Sequence, residues 1–239
     1  MSADDHRIRG ARIAGAAAGA GLAGYMLPGL AAAFAPLRAS LGVEDRTAAG
    51  HGYALTFDDG PHAEGTPAVL EVLEREGVRA TFFLVGEQIR RDPALAWEIV
   101  AAGHAVALHC DRHRNLLRLA PWQVREDIAR AEHAITAATE TVPALYRPPY
   151  GVLNASALAV ARRRGWRTLL WSNWGRDWER DATPESIAAL VTRGAGAGAV
   201  LLLHDADDDA APGSWRRTVA ALPAVIETLR ERGLEPEMP

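Results

Sequence analysis

The sequence predicts an α/β fold on a parallel sheet, either closed as a barrel or open and doubly wound. Three observations carry that prediction. Short apolar runs alternate with helical patterns six or seven times along the 239 residues. Helix starts are marked by a capping residue before proline, and helix ends by glycine.

The elements follow in order. After a stretch that reads as a loose linker (about residues 37 to 51), strands are expected at Tyr53–Phe57, Ala80–Leu84, Ala105–Leu108, Ala144–Tyr146, Arg167–Trp171 and Ala199–Leu203, with a weak last candidate near Leu234. Thr66-Pro67, Asp92-Pro93 and Thr183-Pro184 each offer an N-cap and a proline for the first helical position. Gly77, Gly103, Gly165 and Gly233 stand where helices should stop. Val124, Ile128, Ala131 and Ile135 recur at helical spacing and mark one buried face. No repeat and no internal linker interrupts residues 49–239, so they read as one catalytic-size domain.

Residues 1–48 differ in composition. Arg7, Arg9 and Arg12 precede an Ala/Gly-rich apolar run over residues 13–35, broken by Pro28. Ala33-Phe34-Ala35 has the small-x-small pattern of a cleavage site, so the segment is expected to export the protein or attach it to the membrane or cell wall. Many glycines and few leucines weaken its case as a spanning helix, and Pro36 would hinder cleavage after Ala35. The competing reading is an Ala-rich helix lying on the domain surface.

A hydrophobic fraction of 49% and a charged fraction of 23% are ordinary for a folded globular protein. A net charge of −4 lacks the basic excess of a nucleic-acid binder. Cys110 is the single cysteine, which excludes an intrachain disulfide framework and leaves the compartment open.

The chemistry gathers at strand ends, which in such barrels converge on one mouth. The first strand ends in Asp58 and Asp59, adjacent carboxylates that should diverge and that raise each other's pKa unless a positive group lies nearby. Gly60-Pro61 then turn the chain. The third strand leads to His109 and His113, the fourth to Arg147, the fifth to Asp177-Trp178 and the sixth to His204. Each has a bland reading alone: paired surface histidines, a charged turn, a solvated loop start. The acidic run Asp207–Asp209 reads as such a loop. Five successive strands with ionisable groups at the same end are harder to dismiss, because burying such groups is costly unless they pair or bind metal. If the chain turns helically after His109, His113 shares its face. Two His and one carboxylate then fit catalytic zinc, and equally a non-haem iron(II) triad. The second Asp, Arg147 and His204 would be idle in an oxygenase, whereas a hydrolase needs a base, an oxyanion stabiliser and an acid.

"TFDDGP", "HCDRH", "RPPYG", "RDW" and "LLH" occur in the order and rough spacing of the five motifs of polysaccharide deacetylases, the NodB-homology domains of carbohydrate esterase family four. The resemblance runs from about residue 52 to 235. It implies a distorted (β/α)7 barrel with parallel strands. It also implies removal of acetyl groups from chitin-like or peptidoglycan-type sugars with a divalent metal, usually zinc. Carried over, it makes Asp58 the general base and Asp59, His109 and His113 the metal ligands. Arg147 would hold Asp58. The Tyr150 backbone N–H would stabilise the oxyanion, His204 would protonate the leaving amine, and Asp177 would orient or tune His204. Trp178 and Leu202 would wall the pocket for the acetyl methyl. The sequence departs from the family at Cys110, where Ser or Thr is usual, and at Trp174, where an acid often stands. Trp171, Trp174 and Trp178 read as rim and core lining, or as a platform for pyranose faces. The expected partner is thus an acetylated glycan and not nucleic acid. The alternatives are a barrel hydrolase for a small non-sugar amide and a catalytically silent sugar-binding homologue.

Overall fold

The computed structural model describes residues 21–239. Its strands are β1 (Val43–Glu44), β2 (Tyr53–Asp58), β3 (Thr81–Val85), β4 (Ala105–Cys110), β5 (Leu145–Tyr146), β6 (Arg167–Leu169), β7 (Asn173–Trp174) and β8 (Ala199–His204). They form one sheet in the order β1-β6-β5-β4-β3-β2-β8-β7 with every pair parallel.

The sheet curls until its two sides share a single run of chain. Residues 170–172 are all that separate β6 from β7. That run pairs with β5 at Thr168 and with β8 at Trp174. The remaining seam is bridged by the stretch around β1. Val43 pairs with Thr168, while Arg46 bridges Ala199 and the Thr47 N–H donates to Gly198 O at 3.0 Å. The result is the expected distorted (β/α)7 barrel. One correction concerns residues 37–51, which are no loose linker. They contain the end of helix α1 (Ala35–Ser40), then β1 and the seam contact. The candidate strand near Leu234 is reduced to one bridge, Tyr53 with Pro236.

The helices α2 (Gly65–Glu76), α3 (Gly86–Arg91), α4 (Pro93–Ala101), α5 (Pro121–Thr139), α6 (Ala155–Arg164), α7 (Pro184–Val191) and α8 (Ser214–Glu231) follow the strands. Asp92 and Thr183 cap α4 and α7 as expected, accepting from the N–H groups of Ala94 and Ser186. Thr66 does not cap. It lies inside α2, and its hydroxyl accepts the His62 N–H at 2.7 Å and donates to Asp205.

Strand alternation sorts the side chains into two cores. Leu55, Phe57, Phe82, Leu84, Leu108 and Leu203 join the apolar faces of the helices in the larger one. Ala54, Phe83, Ala107, Leu145, Leu169 and Val200 form a separate, smaller cluster of the opposite parity. Continuing that parity toward the C-terminal ends leads to Thr56 and Asp58, His109, Arg147, and Leu202 and His204. The inner face is therefore apolar below and ionisable at its mouth.

Residues 13–20 of the apolar N-terminal run lie outside the described residues. Residues 21–26 are helical. Tyr25 ties this segment to the domain, donating to Leu119 O at 3.2 Å and accepting from Asn154 at 2.9 Å. Leu22, Leu27, Leu30 and Phe34 are exposed. Among the described residues no helix is long and apolar enough to cross a membrane.

Candidate active site

Asp58 closes β2 and is paired with Arg147, which is fully buried. Every arm of the guanidinium is used. Nη1 donates to Asp58 Oδ1 at 2.7 Å and to Thr56 Oγ1 at 2.9 Å, Nε to Leu169 O at 2.9 Å, and Nη2 to Leu170 O at 3.0 Å. Its Cζ lies over the Phe83 ring, 3.8 Å from the centre. The bent passage from β6 to β7 thus supplies the carbonyls that make a buried cation tolerable.

Asp59 has left the strand, with φ at 76°. Its carboxylate faces three imidazoles. Oδ1 stands 3.3 Å from His109 Nε2 and 3.5 Å from His113 Nε2, and Oδ2 stands 3.9 Å from His204 Nε2. Gly60 permits this turn, because a Cβ there would collide with the Asp205 carboxylate. Burial alone would raise the Asp59 pKa, but the three surrounding imidazoles hold it below the usual carboxylate range.

His109 is the extra residue of a β-bulge: Leu84 pairs with Leu108 and Val85 with Cys110. Its Nδ1 lies 2.8 Å from Arg147 O, which assigns the proton to Nδ1 and turns Nε2 toward Asp59. His113 reaches the same point from a bend and not from a helical turn. The two rings stack at 5.3 Å. The loop between them is held by residues that the sequence reading missed. The Asp111 N–H donates to Asp127 Oδ2 at 2.8 Å, Arg114 to Asp127 Oδ1 at 2.6 Å, and Arg90 to Asp111 Oδ1 at 2.6 Å. The available signal was one acid, Asp127, next to Ile128 on the apolar face of α5.

His204, at the end of β8, is gripped twice by Asp177, through its own N–H at 2.7 Å and through Nδ1 at 2.9 Å. Thr218 of α8, also missed, donates to Asp177 at 2.8 Å. Burial opposes a charge on His204, yet Asp177, with Asp59 and Asp58, pushes its pKa up to about 10. Trp178 stands edge-on to the imidazole at 5.4 Å. Leu202 lies buried two residues earlier on the same strand face. Tyr150, with φ at 58°, lays its ring against His113 at 4.4 Å. Trp174 is nearly half exposed and stands edge-on to Trp171 at 6.4 Å.

The donors fit a divalent cation. One ligand atom each from Asp59, His109 and His113 lie within 4.8 Å of one another. Asp59 Oδ1 is buried and makes no hydrogen bond. With the His109 proton on Nδ1, a lone pair faces that oxygen, an arrangement that calls for positive charge between them. Burial works against a charge on the His109 ring, but Asp58 and Asp59 raise its pKa. Cys110 is buried, stays a thiol because burial raises its pKa, and is not among the donors.

A parallel barrel whose mouth gathers an Asp–His–His group able to hold a cation beside a buried Asp–Arg pair and an Asp–His pair has the make-up of a hydrolase active site. A sequence profile described as polysaccharide deacetylase matches residues 45–169. A chitooligosaccharide deacetylase of Bradyrhizobium sp. (strain ANU 289) is 37% identical over 76% of this chain and 85% of its own length. A peptidoglycan-N-acetylglucosamine deacetylase of Bacillus cereus is 34% identical over 75% of this chain and 82% of its own. A family 4 carbohydrate esterase from Streptomyces lividans, solved in complex with acetate, superposes with a TM-score of 0.70 at 36% identity, covering 78% of this chain and 92% of that one. The chain belongs to the polysaccharide deacetylase family, the NodB-homology enzymes of carbohydrate esterase family four.

Proposed function

We propose that this enzyme hydrolyses the N-acetyl groups of chitin-like oligosaccharides or peptidoglycan, that it requires a divalent cation, zinc being the expected one, and that it works at the cell envelope. The observation that carries the reading is the division between the two adjacent carboxylates. Asp58 is neutralised by Arg147, while Asp59 keeps a buried, unbonded oxygen among imidazoles. The names of the relatives, chitooligosaccharide and peptidoglycan-N-acetylglucosamine deacetylases, support the substrate class.

Asp59, His109 and His113 would hold the cation. Bound there, it supplies Lewis acidity toward the acetyl carbonyl and the attacking water. Arg147 occupies one oxygen of Asp58 and leaves the other to take the proton of that water as its oxygen bonds to the carbonyl carbon. The Tyr150 N–H faces the developing oxyanion. His204, kept protonated by Asp177, gives its proton to the nitrogen as the C–N bond breaks, leaving acetate and a free amine. Trp178 and Leu202 line the space for the methyl group. Trp171 and Trp174 offer faces on which a neighbouring pyranose stacks.

Two variants test the division. Asp58→Asn should lower acetate release by about 10²–10⁴-fold, the usual worth of a positioned base, while zinc stays bound. Asp59→Asn should lose the zinc. The reverse pattern would overturn the assignment. Mass spectrometry across chitin oligomers, peptidoglycan and small amides tests the substrate class, and acetyl loss from small amides alone would overturn it.

A further inference from the structure

The acidic run Asp207–Asp209 is more than a solvated loop, because each carboxylate has its own partner. Asp207 accepts the Gly213 N–H and lies 3.3 Å from His62 Nε2. Asp208 takes Arg91 at 2.9 Å. Asp209 turns toward the mouth, where its Oδ2 lies 3.5 Å from His113 Nδ1. That nitrogen is buried and makes no hydrogen bond.

A neutral imidazole carries one proton. A ring that gives its Nε2 lone pair to a cation must therefore carry the proton on Nδ1. For His109 the acceptor of that proton is Arg147 O. For His113 the ring is enclosed by His109 on one side and by Tyr150, at 4.4 Å, on another. The group facing its Nδ1 is the Asp209 carboxylate. We infer that Asp209 is a positioning residue for His113: its carboxylate accepts a hydrogen bond from Nδ1–H when Nε2 serves as a ligand, and so fixes the tautomer and the ring orientation that bind the cation. The inference rests on the reading of Asp59, His109 and His113 as ligands.

The test is zinc affinity of the full chain, measured by competition with a chromophoric chelator, so that it needs no substrate. Asp209→Ala should weaken zinc binding by about 10- to 100-fold, the usual effect of removing such a partner. Asp209→Asn, which keeps an accepting oxygen without the charge, should fall between Asp209→Ala and the parent. Asp208→Ala, in the same loop, should leave zinc affinity unchanged. Parent-like affinity of Asp209→Ala would overturn the inference. Equal weakening by Asp208→Ala would do the same, since the effect would then belong to the loop as a whole. If the parent chain fails to bind zinc, the ligand reading itself falls, and this inference with it.

Discussion

Asp177 shows how a single side chain sets the working range of its neighbour. It is fully buried and spends both oxygens on His204, with Thr218 sharing one of them. Burial disfavours imidazolium, but the carboxylates win and raise the His204 pKa to about 10. A raised pKa means that the acid form persists through neutral pH and is lost as pH climbs through that value. A cation beside Asp59 would pull the value back down without changing the direction in which Asp177 acts. Asp177→Asn should therefore move the alkaline limb of the kcat/KM profile to lower pH, and an unmoved limb would contradict the relay. The acid face of the site behaves in the opposite way. Protons would compete with a bound cation for Asp59, His109 and His113, so zinc affinity should weaken steadily as pH falls. A pH-independent Kd between pH 5 and pH 8, roughly the range in which histidines titrate, would contradict the ligand set. These residues were legible as candidates because strand ends converge. Thr218 was not, since a helical threonine announces nothing until its tertiary partner is known.

At the scale of the element, the informative case is the loop between β4 and α5. The spacing of His109 and His113 suggested a helical turn, and the chain meets the same need with a bulge and a bend. Such a loop depends on outside support. Asp127 supplies it from α5 by accepting both the Asp111 N–H and Arg114. Asp127→Ala would leave a buried N–H unsatisfied, at a cost of about 1–3 kcal/mol, and would free the loop that carries His113. It should lower both the unfolding free energy and zinc affinity. An Asp127→Ala protein as stable as the parent would show that α5 packing alone holds the loop. β1 and β7 were illegible for a related reason. Val43-Glu44 and Asn173-Trp174 are too short and too mixed in polarity to read as apolar runs, and only their partners, β6 and β8, make them strands.

Across the whole molecule, the barrel collects groups from β2, β4, β8 and the loops that follow them into one pocket in which Asp59, His109 and His113 could hold a cation. Loading that pocket should stabilise the fold by mass action, by about 2.7 kcal/mol at a hundredfold excess of zinc over its Kd. In a domain of this size that is about 5–10 °C in Tm. Chelation should reverse the gain, and a Tm indifferent to zinc would contradict a folded-state site. What the sequence determined by itself was the alternation of strands and helices, the motif residues and the end of the sheet at which they gather. These follow from local propensity, from the two-residue period of strands and from the cost of burying charge. Tertiary structure decided which carboxylate meets Arg147 and which meets the histidines. It also decided how β6 and β7 close the barrel, and which acid of the 207–209 run faces His113. Those outcomes depend on contacts between residues far apart in the chain, such as Arg147 with Asp58 and Asp177 with His204, and local preference does not choose such partners.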